Sequence, residues 1–464
     1  ISRQTLLQQT KPETFDVIIT KGNMRFLRPT LYDLLVHRAI DYFQSDENDL
    51  TKPADAFEIH MTGAFDPVAD FIKLKLDTND SNSLHHKALL LYQQLLSFHI
   101  TDKNPAALID ADLKRIQFVK RYSTSPEKNK LYQNALAHLL KQYNYQPVVS
   151  QAAFLLANDY ADYAGTYDFK KHKGNDETNP RNYYTKAIEL CNRVLEQSEE
   201  SEGKTNCFNL VQEILEKRIN LVSEKVNLPG KPFRTLIEYR NTKRVWIRIA
   251  KINEAGTEDE SRWEDSYWKK MSSLPVVQKA DYTLPATDDY QPHKTEIKIN
   301  ALPEGNYAIL VSATENFDLN KNLMAVQYIH VSNIAWMYSG DNLIVVHRET
   351  GAPLANAQVT FWNQEYDNNL RKYVSVKKET QFTNQQGLIR MKNRTNTYYN
   401  NQTVEVKYGA DVLHLSDRVY NYIYGSTQEE RDEVKNRRLF FFTDRSIYRP
   451  GQIVYFKGIL TTKD

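Results

Sequence analysis

The sequence predicts a multidomain chain, with helices first and antiparallel β sandwiches after them. Three observations predict this. The chain has 464 residues, too many for one ordinary core, since domains run about 100–200 residues. Apolar residues recur at helical spacing over roughly the first 220 residues. From Pro229-Gly230-Lys231-Pro232 onward the apolar period shortens to that of half-buried strands. The expected division is a helical domain over 1–222, sandwiches over 223–332 and 333–437, and the truncated start of another over 438–464.

The helical half divides at its caps. Thr30, with Asp33 three residues on, has the pattern of a capping box. Leu31, Leu34, Leu35, Ala39, Ile40 and Phe43 follow on one face. Leu84, Ala88, Leu91, Leu95 and His99 form a second stripe, and Asn104-Pro105 opens a third helix. Ser125-Pro126 reads as an N-cap with proline at the first helical position, ahead of Leu131 to Tyr143. Leu156, Tyr160 and Gly165, then Ala187, Ile188 and Cys191, give a TPR-like pair of antiparallel helices. The polar insertion Lys170 to Asn179 separates them, and a helix from Asn206 to about Ile219 closes this half.

In the β half, alternation predicts strands at Arg234–Tyr239, Val245–Ile252, Thr295–Ile299, Asn306–Ala313 and Met324–Val331. The acidic stretch Glu254 to Asp289 reads as a long loop with a helical turn or a hairpin. A second β unit starts near Ile334, with seven short strands as far as Val412–Leu415. Gln428 to Arg437 is a charged connector, after which Leu439–Thr443 and Ile453–Leu460 begin a third unit. Two strands cannot make a sandwich core, so the chain is expected to stop inside a domain.

Composition excludes several classes of function. Lys+Arg of 60 against Asp+Glu of 58 leaves a formal charge of +2. That balance supplies no electrostatic footprint for nucleic acid. No apolar run approaches the ~20 residues of a membrane helix, so no transmembrane segment is expected. The chain opens Ile1-Ser2-Arg3 without the basic and apolar regions of a leader, as a processed or truncated chain does.

Chemical motifs are sparse. There is no His-Glu-x-x-His, Gly-x-Ser-x-Gly or P-loop, so neither catalytic residues nor a cofactor are expected and the chain reads as a non-enzyme. His85-His86 lacks the further ligands a metal site needs. Asp77 to Asn82 imitates half an EF-hand loop but lacks its glycine and bidentate glutamate, and reads as a capping loop. Asp288-Asp289 and Asp444 read as solvated turns. Trp263, Trp268, Trp336 and Trp362 are either core residues or a sugar-binding face, the core being the commoner use in a sandwich. Cys191 and Cys207 are either two buried thiols or a disulfide stapling a helical hairpin, depending on helix register.

The most informative stretch is Phe440-Phe441-Phe442-Thr443-Asp444-Arg445-Ser446-Ile447-Tyr448-Arg449-Pro450-Gly451-Gln452-Ile453-Val454-Tyr455-Phe456-Lys457-Gly458. An apolar strand ends at Thr443-Asp444, Pro450 and Gly451 suit a turn, and an alternating strand leaves. This stretch resembles the segment that opens a macroglobulin domain in the α2-macroglobulin and complement C3 superfamily. Asp444, Tyr448, Arg449, Pro450 and Gly451 are the residues that match it. Gly351 to Val359, followed by Thr383 to Leu388, looks like the β-sandwich unit that bacterial members carry just upstream. Pro29 to Ala39 and Phe98 to Leu108 resemble the N-terminal region of the Bacteroidetes branch.

The resemblance implies macroglobulin-type sandwiches and a secreted endopeptidase inhibitor, periplasmic or associated with the cell envelope. In that family a target protease cleaves a bait segment, and the scaffold rearranges around it. Many members also carry a Cys-Gly-Glu-Gln thioester. Neither Cys191-Asn192-Arg193 nor Cys207-Phe208-Asn209 matches that pattern. Bait and thioester would therefore lie outside these residues. The implied partners are target proteases and, through the helical domain, an envelope protein. The alternative is a cell-surface binding protein whose Ig-like sandwiches recognise a glycan or peptide.

Overall fold

The computed structural model describes residues 4–15, 25–44, 55–174, 176–252, 264–318, 322–339, 342–369, 371–390, 402–419, 437–443 and 454–462. The chain divides into two compact units. The first comprises Ile1–Glu216 with Thr287–Gln291, and the second comprises Lys217–Ala286 with Pro292–Asp464.

The first unit is helical. Its helices are α1 (Gln4–Gln9), α2 (Leu31–Phe43), α3 (Val68–Phe71), α4 (Leu84–His99), α5 (Ala106–Tyr122), α6 (Lys128–Gln142), α7 (Ser150–Ala164), α8 (Tyr183–Leu195) and α9 (Glu202–Leu215). The capping box at Thr30 and Asp33 forms as expected, with each side chain meeting the other residue's backbone N–H. Asn104 Oδ1 accepts from Ala106 N at 3.0 Å, opening α5. Ser125 Oγ accepts from Glu127 N at 3.3 Å, but α6 starts at Lys128 with Glu127 at its N-cap, so Ser125 and Pro126 form a turn before the helix rather than its cap and first position. One continuous core joins the apolar faces, from Tyr32 and Val36 of α2 to Val211 and Ile214 of α9. Complete burial of such side chains stabilises by about 1.5–3 kcal/mol each.

α9 stops at Leu215 and β1 (Arg218–Ser223) follows, so the change of period precedes Pro229-Gly230. The reason is visible in the burial of β1. Ile219 and Leu221 point inward while Arg218, Asn220 and Val222 are exposed. Six residues of alternation are too short to separate from a fraying helix end by period alone.

The second unit contains β2 (Val226–Asn227), β3 (Phe233–Arg240), β4 (Arg244–Ile252), α10 (Asp265–Ser273), β5 (Val276–Thr283), β6 (His293–Ile299), β7 (Gly305–Ser312) and β8 (Met324–Val331). The order β1-β3-β6 makes one sheet, and β2-β8-β7-β4-β5 makes the other. Only the short β2–β8 pairing is parallel among the described ladders. Ile237 and Ile297 from the first sheet meet Ile247, Ile309 and Ile329 from the second in a single core, as stacked sheets require. The Glu254–Asp289 stretch holds both a helix and a strand. α10 lays Tyr267 and Met271 on the outer face of the larger sheet, against Ala308, Leu310 and Tyr328. That sheet is therefore apolar on both faces.

A further pair of sheets follows. β9 (Ile334–Ser339), β10 (Asn342–His347) and β13 (Leu388–Arg390) form one. β11 (Gln358–Asp367), β12 (Lys372–Phe382), β14 (Gln402–Tyr408) and β15 (Asp411–Val419) form the other. Leu343, Val345, Val359, Phe361, Val404 and Leu413 fill the space between them. Gly387 takes φ of 70°, and a Cβ there would lie 2.3 Å from Val345 O, so only glycine fits that turn. Asp411 pins the connector between the two β modules. Its Oδ2 accepts from Ser332 Oγ at 3.0 Å and from Asn333 N at 2.8 Å. Last come β16 (Arg437–Thr443) and β17 (Phe456–Thr462), an antiparallel ribbon with Thr443 opposite Phe456.

The α7–α9 contact generates a test. A Cβ on Gly203 would stand 2.3 Å from the backbone of Ser150 and Gln151. Gly203→Ala should destabilise the chain by about 1–3 kcal/mol, because backbone rather than a flexible side chain must move. Urea denaturation checks this, and an unchanged midpoint would show that the helices separate freely.

Candidate functional site

The helical unit contains a cavity of about 560 Å³ between α5, α6 and the Phe65–Ala69 segment. Its lining mixes apolar side chains, among them Phe65, Val68, Ile109, Ile116, Leu131 and Leu139, with the polar Asp66, Asn134, Gln142 and Tyr143. Its floor carries Asp112 and Arg115, with His138 on the α6 side. Helical periodicity explains the floor, since residues three apart on α5 share a face.

Arg115 is fully buried, with its donors directed at fixed acceptors. Nε donates to Asp112 Oδ1 at 2.8 Å, Nη2 lies 2.8 Å from the same oxygen, and Nη2 also donates to Asp66 O at 2.9 Å. Nη1 donates to Ala64 O at 2.5 Å. The guanidinium carbon sits 4.3 Å over the Phe71 ring. Asp112 is 2% exposed. Its Oδ1 takes the guanidinium bonds, while Oδ2 has no protein partner among the described residues. Burial pushes the Asp112 carboxyl up against the opposing pull of Arg115.

A second buried polar cluster joins α2 to α4. His99 Nε2 bonds Asp33 Oδ1 at 2.5 Å, and its Nδ1 bonds Asp102 Oδ2 at 2.7 Å. Thr30 Oγ1 and Thr30 N donate to Asp33 Oδ2 at 2.7 and 2.9 Å. Burial disfavours the charged forms, but the hydrogen bonds outweigh it, raising the His99 pKa and lowering that of Asp33. Both imidazole nitrogens are occupied, so His99 cannot exchange a proton with a substrate while the cluster is intact. His37, one helical turn from Asp33, has the opposite setting. Burial and the nearby Arg28 and Lys114 push it down to about 3, and its Nδ1 has no hydrogen-bond partner among the described residues.

Sequence alone placed His99 in an apolar stripe and assigned Arg115, Asp112 and His138 no role. A charged pair three apart on the apolar side of α5 was the available signal. Cys191 and Cys207 are brought together on α8 and α9 as buried free thiols. The contact with Cys207, then burial, raises the Cys191 pKa. His85 packs on Phe118 and Tyr122, and His86 Nε2 lies 2.7 Å from Leu76 O. Among the described residues no group of three metal-ligating side chains occurs.

Asp80 accepts from Phe57 N and Asn82 N, and Ser83 caps α4, so the Asp77–Asn82 loop serves the helix start. Asp289 binds Arg181 Nε at 2.6 Å, where a solvated turn was expected. The isolated reading of Asp288-Asp289 missed a cation 108 positions away in sequence. Trp268 and Trp336 pack against core clusters. Trp362 stacks on His414, with centroids 6.1 Å apart. Trp263, Asp444, Tyr448, Arg449, Pro450 and Gly451 lie outside the described residues.

With this geometry in hand, the chain is a multidomain protein of helices followed by antiparallel sheets. No family model matches it, and no curated protein does. Solved structures do match, among them Salmonella α2-macroglobulin reacted with methylamine, at TM-score 0.20 and 9% identity. That match covers 52% of this chain and 18% of the macroglobulin. No helix among the described residues is long and apolar enough to cross a membrane.

Two tests follow from these clusters. The His99 pKa is raised above its usual 6.5, so its contribution is complete below that value and lost as pH climbs through the folded value. Asp33 contributes above its usual 3.8 and loses that contribution as pH falls through its lowered folded value. His99→Gln should therefore cost more stability near pH 5 than near pH 9, as urea melts at each pH would show. A cost equal at both would mean that His99 holds no extra proton. For the cysteines, a thiol reagent should label neither residue in the native chain and both after unfolding, whereas a disulfide would leave both unlabelled throughout.

Proposed function

We propose that this chain is scaffold from an α2-macroglobulin-like endopeptidase inhibitor, with its β modules as macroglobulin-type sandwiches and its helices as TPR-like hairpins. The observation that carries the reading is the β16–β17 ribbon. Its strands, Arg437–Thr443 and Phe456–Thr462, pair antiparallel, and the sequence that resembles a macroglobulin-domain opening runs from within the first to within the second.

The ribbon leaves apolar side chains exposed. Leu439 is 52% exposed, Phe441 62%, Phe456 66% and Leu460 62%. A two-stranded ribbon is marginal in water and needs partners for such side chains. The start of a further sandwich accounts for it. The work of this chain is then mechanical, as modules held at short connectors like Ser332-Asn333 and displaced when a bait segment elsewhere is cut. The helical unit would dock an envelope partner, and the site of action would be the periplasm or cell envelope of a bacterium, in the manner of the Bacteroidetes branch.

The experiment incubates the whole protein with endopeptidases of several specificities. A trap should be cleaved at discrete sites, and the captured protease should retain activity on small substrates while losing it on large proteins. Residues 1–464 alone should inhibit nothing. Potent inhibition by this chain alone, or none by the whole protein, would sink the reading.

A further inference from the structure

We propose that the cavity between α5 and α6 binds an uncharged amphiphile, an apolar body ending in one hydroxyl or amide donor, with the donor bonded to Asp112 Oδ2. The volume, about 560 Å³, lies in the range of small-molecule sites, roughly 300–1,000 Å³. Ile109, Ile116, Leu131 and Leu139 offer the body apolar contacts, beside the polar Asn134, Gln142 and Tyr143.

The floor selects the head group. Arg115 already balances Asp112 through Nε and Nη2, both 2.8 Å from Oδ1. A cationic head would therefore sit beside a guanidinium, and an anionic head beside a carboxylate. Either would lose its water without gaining an unshared opposite charge, a loss that burial makes expensive. Asp112 is 2% exposed, its Oδ1 holds the guanidinium, and no donor to Oδ2 occurs among the described residues. A carboxylate accepts only, so what it lacks is a donor, and a neutral donor meets that need without disturbing the charge balance. His138 also lines the cavity.

The experiment is calorimetry near pH 8 with 1-octanol, octylamine and octanoate, three probes that share one apolar body. One octanol should bind per chain, with the two charged probes at least about tenfold weaker. Asp112→Asn, which replaces the free acceptor but also cuts the Arg115 pair, should weaken octanol about tenfold. Because that variant can fail to fold, Ala135→Phe is the second. Ala135 lines the cavity and has no part in the ion pair. Its enlargement should abolish octanol binding while circular dichroism stays native. Failure of octanol to bind, unchanged binding in Ala135→Phe, or tightest binding of a charged probe would each overturn the proposal. None of these outcomes bears on protease trapping, so the two readings fail separately.

Discussion

A guanidinium cut off from water must have its charge balanced and its donors met, and Arg115 imposes that demand at the centre of the helical unit. Its acceptors come from three places in the chain, namely Asp112 on its own helix and the carbonyls of Ala64 and Asp66. Breaking such a buried pair by removing one partner typically costs about 3–5 kcal/mol, because the other charge stays buried. The Phe65–Ala69 segment is therefore tied to α5 at a fixed distance. That tie holds the cavity wall in place and leaves one oxygen of Asp112 uncommitted.

The second cluster sets a different constraint. Asp33 caps α2 with one carboxylate oxygen and binds His99 with the other. Local helix initiation and long-range packing thus share one side chain. Neutral His37 nearby shows how context decides charge. Two histidines in the same core are driven in opposite directions, one by two carboxylates and the other by burial beside Arg28 and Lys114.

In the β modules the governing constraint is that each sheet buries one alternating face. The larger sheet around β4, β7 and β8 departs from it, since α10 gives that sheet a second apolar face. Continuous apolar runs such as Ala308 to Val311 record this, and they read as strand without revealing what covers the outer side. The β16–β17 ribbon is the opposite case, with the apolar run Leu439 to Phe442 and with Leu439, Phe441, Phe456 and Leu460 exposed.

The sequence by itself determined the order of helices and strands, the capping box at Thr30 and most strands from Phe233 onward, because period and cap chemistry are local properties of the chain. It left β1, β5 and α10 indistinct, because a short run has the same period signature in several conformations. Only the tertiary structure decided the meeting of His99 with Asp33, of Arg115 with the Ala64 and Asp66 carbonyls, of Arg181 with Asp289 and of Cys191 with Cys207. Those partners lie 16 to 108 positions apart. Pairing over such separations is fixed by how helices and loops pack, a property that no stretch of the sequence carries alone.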